Sequence, residues 1–263
     1  MDAINDALIL RLSGDRVEEL VDHVAAEAPF TLLVNGEVLV SLLCTPSELD
    51  TLSVGFLISE GLLKERSGLI SVEVDETKAT VSVMLKNLPG NWQEVFHKKT
   101  ITSGCGKGIT FTDNTSLKGD PSIPKGLKVS ADVLTGILKK FKNVSELFMK
   151  TGGVHSAGLA EAKGDILLFS EDIGRHNAVD KLIGKAFLKN IPLTDKILLT
   201  SGRVSSEVMT KTIRSGIPIL VSRAAPTCMA IVSAEDHGVT LVGFARGRRM
   251  NIYTHPGRLQ ILE

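Results

Sequence analysis

Aromatic side chains are scarce in this chain: nine phenylalanines, one tyrosine and one tryptophan among 263 residues. Rows of stacking rings, on which unspecific single-strand binders rely, are therefore not available. An excess of charge of either sign is also missing. Thirty lysines and arginines balance thirty aspartates and glutamates, which argues against a general nucleic-acid or membrane-surface binder. No run approaches the ~18 apolar residues of a spanning helix. The opening MDAINDALILRLSGD is acidic, where a signal peptide would be basic. Cysteine is rare and odd in number: Cys44, Cys105 and Cys228 are scattered and cannot build a disulfide framework. These absences point to a soluble protein of the reducing cytoplasm, with neither nucleic acid nor membrane among its partners.

What is present is an ordinary apolar fraction of 43%, enough to bury a core over this length. The first third reads as α+β. FTLLVNGEVLVSLLC, Phe30 to Cys44, places Asn35-Gly36 between apolar runs, a hairpin signal. TPSE at 45–48 matches a capping box with Pro46 at the first helical position. The helix it opens carries Leu49, Leu52, Phe56 and Leu57 on one face and stops near Gly61. Two further strands are expected at 70–74 and 79–85. Periodicity then fails from Asn87 to Lys128, a length that suits a functional loop or a linker. The boundary falls there: residues 1–125 form a small α+β domain ending in the loop around Cys105, and 126–263 a second domain.

That second domain has βα grammar. Ser130 caps a helix bearing Val133, Ile137, Leu138 and Phe141, and a second helical run ends at Gly152-Gly153. Strands are expected at 154–159, 166–169, 197–200, 217–222 and 239–244, with helices at 178–188, 205–215 and 227–236. Unbroken Ile/Leu/Val strands alternating with helices predict a mostly parallel sheet covered on both faces. In such sheets ligands bind where the strands end. The segments at those ends read SEDIGRHNAVD, TSGRVSSE, SRAAPT and GFARGRRMN, and every one contains arginine: Arg175, Arg203, Arg223, Arg246, Arg248 and Arg249. Two readings compete: surface pairs with acids such as Glu171, Asp172 or Glu207, or a shared grip on a phosphorylated or diphosphate ligand.

The histidines do not assemble a metal motif. A zinc nucleobase deaminase needs H-x-E followed by P-C-x-x-C. Here the sequence has His155-Ser156-Ala157 and PTCMA, so zinc is not expected. His155 and His176 are left with either a structural or a ligand-contacting role. Among the cysteines, Cys44 closes an apolar strand and reads as a buried thiol. Cys228, beside Met229, Ile231 and Val232, reads as a packing residue. Cys105 differs. TSGCGKGIT sets it between glycines with Lys107 two residues on, as suits an exposed, reactive thiol.

Several segments together resemble the FdhD family of formate dehydrogenase accessory sulfurtransferases: LLCTPSELDTLSVGFLISEGLL, SGCGKG, TGGVHSAGL, EDIGRHNAVDKLIGKA, SGRVSSEVMTK, GIPILVSRAAPT and GVTLVGFARGRRMNIYTHPGR. The resemblance implies an α/β protein with a small N-terminal α+β domain. It also implies a C-terminal cytidine deaminase-like three-layer α/β/α domain without zinc. It implies that Cys105 takes sulfur from a cysteine desulfurase as a persulfide. The sulfur would pass to the molybdenum (or tungsten) bis-molybdopterin guanine dinucleotide cofactor, bound as substrate before its insertion into formate dehydrogenase. Phe244, Ala245, Arg246, Gly247, Arg248 and Arg249 would contact that cofactor, with Arg175, His176, Arg203 and His155 completing the pocket. A homodimer is also implied. In one respect the chain departs from the family pattern: the usual C-x-x-C loop is CGKG here, with Gly108 in place of the second cysteine. The alternative implied by that departure is a cofactor-binding chaperone that does not transfer sulfur.

Overall fold

The structure, a computed structural model, describes residues 2–88, 100–101, 109–110 and 122–260. It opens with a hairpin that sequence periodicity does not announce. β1 (Ile4–Ser13) pairs antiparallel with β2 (Arg16–Ala25) along its whole length. Residues Ala7 to Leu10 are apolar on both faces of the strand, so no polar–apolar alternation marks it. Leu8, Leu10, Leu12, Val17 and Val21 share one face of this ribbon and are all exposed.

A four-stranded sheet follows, in the order β4-β3-β6-β5, from β3 (Ala28–Val34), β4 (Glu37–Cys44), β5 (Leu69–Asp75) and β6 (Thr80–Leu85). Asn35 and Gly36 make the expected turn, both with positive φ, as a two-residue hairpin favours. The Asn35 amide also clasps β6: Nδ2 donates to Leu85 O at 3.1 Å and Oδ1 accepts from Leu85 N–H at 2.8 Å. Helix α1 (Leu49–Ser59) covers this sheet.

The capping-box expectation fails at α1. Its N-cap is Glu48, in the left-handed region and without a side-chain cap bond. Thr45 is drawn away by long-range partners. Its N–H donates to Asp172 Oδ2 at 3.1 Å, its Oγ1 accepts from Ile173 N–H at 3.1 Å, and its carbonyl accepts from Lys181 Nζ at 3.1 Å. Three tertiary hydrogen bonds outweigh one local cap.

The second half is built on a six-stranded sheet ordered β11-β10-β12-β13-β14-β15. Its strands are β10 (His155–Ala160), β11 (Ile166–Asp172), β12 (Ile197–Thr200), β13 (Ile219–Ser222), β14 (Thr240–Arg246) and β15 (Arg249–Ile252). Only β12, β13 and β14 run parallel to their neighbours in the ladder; the other contacts are antiparallel. The sheet is therefore mixed, which corrects the mostly parallel expectation. The cause is two local hairpins: β10–β11, whose strands sequence reading expects to run parallel, and β14–β15, whose second strand it does not expect. Short pairs β7 (Thr100–Ile101) with β8 (Ile109–Thr110), and β9 (Val129–Ser130) with β16 (Leu259–Gln260), complete the strands.

Three layers result. Leu134, Ile137, Leu138 and Phe141 of α2 (Ala131–Asn143) pack on one face of the sheet, against Ile197, Leu199, Ile219 and Val221. Each buried side chain contributes roughly 1.5–3 kcal/mol. Ser130 caps α2 as expected, accepting from Val133 N–H at 3.2 Å. The other face packs against α4 (Arg175–Leu188), α5 (Ser206–Arg214) and α6 (Cys228–His237). The short α3 (Glu146–Thr151) lies against β2. Helices α1 and α4 join the two halves through glycine. A Cβ at Gly55 would sit 1.8 Å from Asp180 O, and one at Gly184 1.9 Å from Thr51 O, so the backbones touch. Among the described residues no helix is long and apolar enough to cross a membrane.

Candidate functional site

The strand directions gather one set of loops at one end of the six-stranded sheet. β11, β12, β13 and β14 end there, and β10, antiparallel to β11 and β12, begins there with His155. The loops are stitched to one another. Ser222 Oγ donates to Gly202 O at 2.7 Å and accepts from Ala224 N–H at 2.9 Å. Val204 N–H donates to Ala225 O, Thr227 N–H to Val204 O, and Phe244 N–H to Ala224 O. Side chains carried here are held on a rigid frame rather than on free loops.

A cavity of about 390 Å³ opens among them, lined in part by His155, Ser201, Arg223 and Arg246, with Phe148 and Ile173 as apolar walls. Arg175 packs its Cβ and Cδ beside Gly202, where a Cβ would lie 2.7 Å from Arg175 Cβ. The Arg175 Nε is buried with no hydrogen-bond partner among the described residues. The FARGRR segment is a bulge followed by a turn. Pairing between β14 and β15 slips between Gly243 and Arg246, and Phe244 takes φ 49. A bulge of this kind re-aims side chains: Phe244 faces out, while the Ala245 methyl is buried in the core shared with α2, so only its backbone is left to the loop. Gly247, at φ 59, makes the first corner of the two-residue turn, with Arg248 as the second. Arg246 and Arg249 then stand directly opposite each other, a like-charge pairing that is unfavourable by itself.

The acids that could have neutralised these arginines are engaged elsewhere. Glu171 accepts from Leu147 and Phe148 N–H at the start of α3, and from Ser145 Oγ. Asp172, fully buried, pairs with Lys181 at 2.7 Å and accepts from Gly174 N–H and Asn177 Nδ2. Glu207 holds His176, with Oε2 2.8 Å from Nδ1. Among the described residues none of Arg175, Arg203, Arg223, Arg246, Arg248 and Arg249 forms an ion pair. Of the two readings of the arginine loops, surface salt bridges with these acids are not formed among the described residues.

His155 reports the resulting field. Its Nδ1 lies 3.3 Å from Ser201 Oγ, which accepts from Ser156 N–H at 2.9 Å. Burial first, then Arg175, His176 and Arg203, pushes the His155 pKa below the ordinary imidazole value. The neutral folded form gives a sign for stability. The unfolded chain takes up this proton near pH ~6.5 and the folded chain resists it. The contribution is therefore complete above that pH and is lost as pH falls toward the folded value. Imidazole proton NMR should find His155 titrating below the ordinary range, and added inorganic diphosphate should raise it. A resonance titrating at the ordinary value, indifferent to diphosphate, would contradict the field described.

The thiols divide differently from expectation. Cys44 is buried, and its pKa is pushed up to about 12, by burial and then by Asp172. Cys228, expected to pack, is exposed on the first turn of α6, with Met229 and Val232 exposed beside it. Of the apolar neighbours that suggested packing, Met229 and Val232 face outward, while Ile231 packs against the core. Cys105 lies outside the described residues. Among the described residues no group of three or more His, Cys, Asp or Glu side chains could hold a metal ion.

The geometry thus brings His155, Arg223 and Arg246 together around the cavity, sets Arg175 and Arg203 near His155, and places Arg248 and Arg249 on the adjoining turn. His176 sits beside them, tied to α5. Sequence reading undervalues Ser201, Ile173 and Phe148, which carry no charge signal, and reads Gly152-Gly153 only as a helix stop although both line the cavity.

Comparison with known proteins fits this picture. A sequence model of the FdhD/NarQ family matches residues 25–260. The sulfur carrier protein FdhD of Bacillus pumilus (strain SAFR-032) is 41% identical over 238 residues, covering 90% of each chain. That of Bacillus subtilis (strain 168) is 36% identical over 252 residues and covers 96% of each. A crystal structure from Desulfotalea psychrophila, of a protein assigned as a formate dehydrogenase accessory protein, superimposes with a TM-score of 0.80. It is 25% identical and covers 98% of this chain and 100% of that one.

Proposed function

Since the chain belongs to the FdhD/NarQ family, we propose that it carries sulfur for the activation of formate dehydrogenase. A cysteine desulfurase persulfide would give its outer sulfur to the Cys105 thiolate, forming a Cys105 persulfide and releasing the desulfurase thiolate. The sulfur would pass to a molybdenum bis-molybdopterin guanine dinucleotide, bound as substrate at the arginine loops, before that cofactor enters formate dehydrogenase. In this reading residues 1–125 are a small α+β domain ending in the cysteine loop. Residues 126–263 are a cytidine deaminase-like three-layer domain without zinc, and the working unit is a cytoplasmic homodimer.

The observation that carries the proposal is a cavity of about 390 Å³ lined by Arg223 and Arg246, with further arginines on the adjoining loops and none of them paired with an acid among the described residues. Each half of the cargo bears a diphosphate, and guanidinium forks match phosphate oxygens. His155, kept neutral, can hydrogen-bond a ligand without adding to the local positive charge. Phe148 and Phe244, both partly exposed at this end, offer faces for a flat ring system.

Guanosine diphosphate is the simplest probe of the pocket. Arg223→Ala and Arg246→Ala should each weaken its binding about 10-fold, since one charge-assisted hydrogen bond contributes about 1.5 kcal/mol. Calorimetric titration would read this directly. Affinity unchanged in both variants would take the nucleotide away from these loops.

A further inference from the structure

Three side chains beside the arginine loops form an arrangement that sulfur carriage does not call for. Glu207, buried on the first turn of α5, sets Oε2 2.8 Å from His176 Nδ1. The other ring nitrogen, Nε2, lies 3.4 Å from Ser205 Oγ. Ser205 is the N-cap residue of α5, yet its side chain makes no cap hydrogen bond. An N-cap serine ordinarily turns its oxygen onto the helix amides; this one faces an imidazole instead. Carboxylate, imidazole and hydroxyl are therefore in series, the order in which a base-activated nucleophile is built. The carboxylate fixes the tautomer with the proton on Nδ1, which leaves the Nε2 lone pair toward the hydroxyl.

We propose that Ser205, with His176 as its base and Glu207 orienting that base, is a nucleophile toward carboxylic esters that carry a negative charge. The preference for an anion comes from Arg175, which immediately precedes His176, and from Arg203, two residues before Ser205. Neither is neutralised by an acid among the described residues. In the first step Ser205 Oγ bonds to the ester carbonyl carbon while its proton passes to His176 Nε2. The bond from that carbon to the leaving alcohol then breaks, and the alcohol departs with the proton. Water repeats the sequence on the acyl-serine and releases the acid, so nothing is oxidised or reduced. The activity stands apart from sulfur carriage and needs no bound dinucleotide.

The full chain should be treated with a biotinylated fluorophosphonate, whose phosphorus–fluorine bond breaks as serine oxygen attacks, and the adduct mapped by peptide mass spectrometry. The expected result is one adduct on Ser205. It should vanish in Ser205→Ala, persist in Ser206→Ala, and form about 100-fold more slowly in His176→Gln, the range of general-base contributions. Turnover of a nitrophenyl hemisuccinate should exceed that of the uncharged nitrophenyl acetate, and Arg203→Ala should erase the difference. A purely structural Ser205–His176 contact would produce no adduct. If His176→Gln fails to fold by circular dichroism, the two serine variants still decide. The proposal is overturned by a wild-type chain that stays unlabelled where a standard serine esterase is labelled, or by equal labelling in Ser205→Ala.

Discussion

Cys105→Ala is expected to lose persulfide formation and, in cells, the ability to support active formate dehydrogenase. The loss should be on the order of 10³-fold or more, as for other nucleophile deletions. Cys44 is buried with its pKa pushed up to about 12, so almost none of it is thiolate at neutral pH, and the thiolate is the attacking species. Cys228 is exposed and can compete for sulfur, so the peptides must be separated. After incubation with a desulfurase and free cysteine, the peptide holding Cys105 should gain about 32 Da, the mass of one sulfur, and Cys228→Ser should leave that gain intact. Equal sulfur uptake by Cys105→Ala would end the carrier role assigned to this residue. Restoration of formate dehydrogenase by Cys105→Ala despite lost uptake would favour the chaperone reading. Gly108→Cys sharpens the same question. It supplies the second thiol of the C-x-x-C pattern, which can release the carried sulfur as sulfide by closing a disulfide, so sulfide should appear in the variant and not in the parent.

Gly184→Ala should produce the largest loss of stability from the smallest change, a single methyl. The new Cβ would lie 1.9 Å from Thr51 O and 2.7 Å from Gly55 N, both backbone atoms that no rotamer change can move aside. Helices α1 and α4 would have to separate, taking Ser59 from a buried charge site. Lys211 Nζ holds both oxygens of Asp180, at 2.7 and 2.6 Å, while Ser59 Oγ donates to the same carboxylate at 2.6 Å. Overpacking ordinarily costs about 1–3 kcal/mol, and this site belongs at or above the upper end. For a chain of this size that lowers the melting temperature by roughly 10 °C. Scanning calorimetry settles it, and a shift within two degrees would mean that the helices give way more easily than their backbone contact suggests.

The strand-end arginines were more legible than the topology. Arginine in each of those segments can be seen whichever way β10 runs, whereas His155 reaches that end of the sheet only because β10 is antiparallel to β12. The direction itself was hidden. A hairpin and a crossover both present an apolar run, a gap and another apolar run, and only the gap length hints at which is meant. Thr45-Pro46-Ser47-Glu48 misled for a different reason: the cap competes with Asp172, Ile173 and Lys181, partners more than a hundred residues away that local patterns do not contain. Glu207 could be read only as an acid near an arginine. Its real partner is His176, on the preceding helix. Cys228 shows the limit of neighbour-based burial, since Met229 and Val232 beside it are themselves exposed.

A hinge needs a seam along which two bodies can part, and the junction of the two halves offers none. Peptide backbones are in contact at Gly55 and Gly184. Lys181 ties Asp172 to the Thr45 carbonyl, and Lys185 reaches Glu48 and Phe169 O. Rotating one half off the other would take Glu48 from Lys185 and the Thr45 backbone from both Lys181 and Asp172. On the proposed function, a bulky cargo would enter past the rim, at the Arg246–Arg249 turn and the segment before His155, while the jaws behind them stay still.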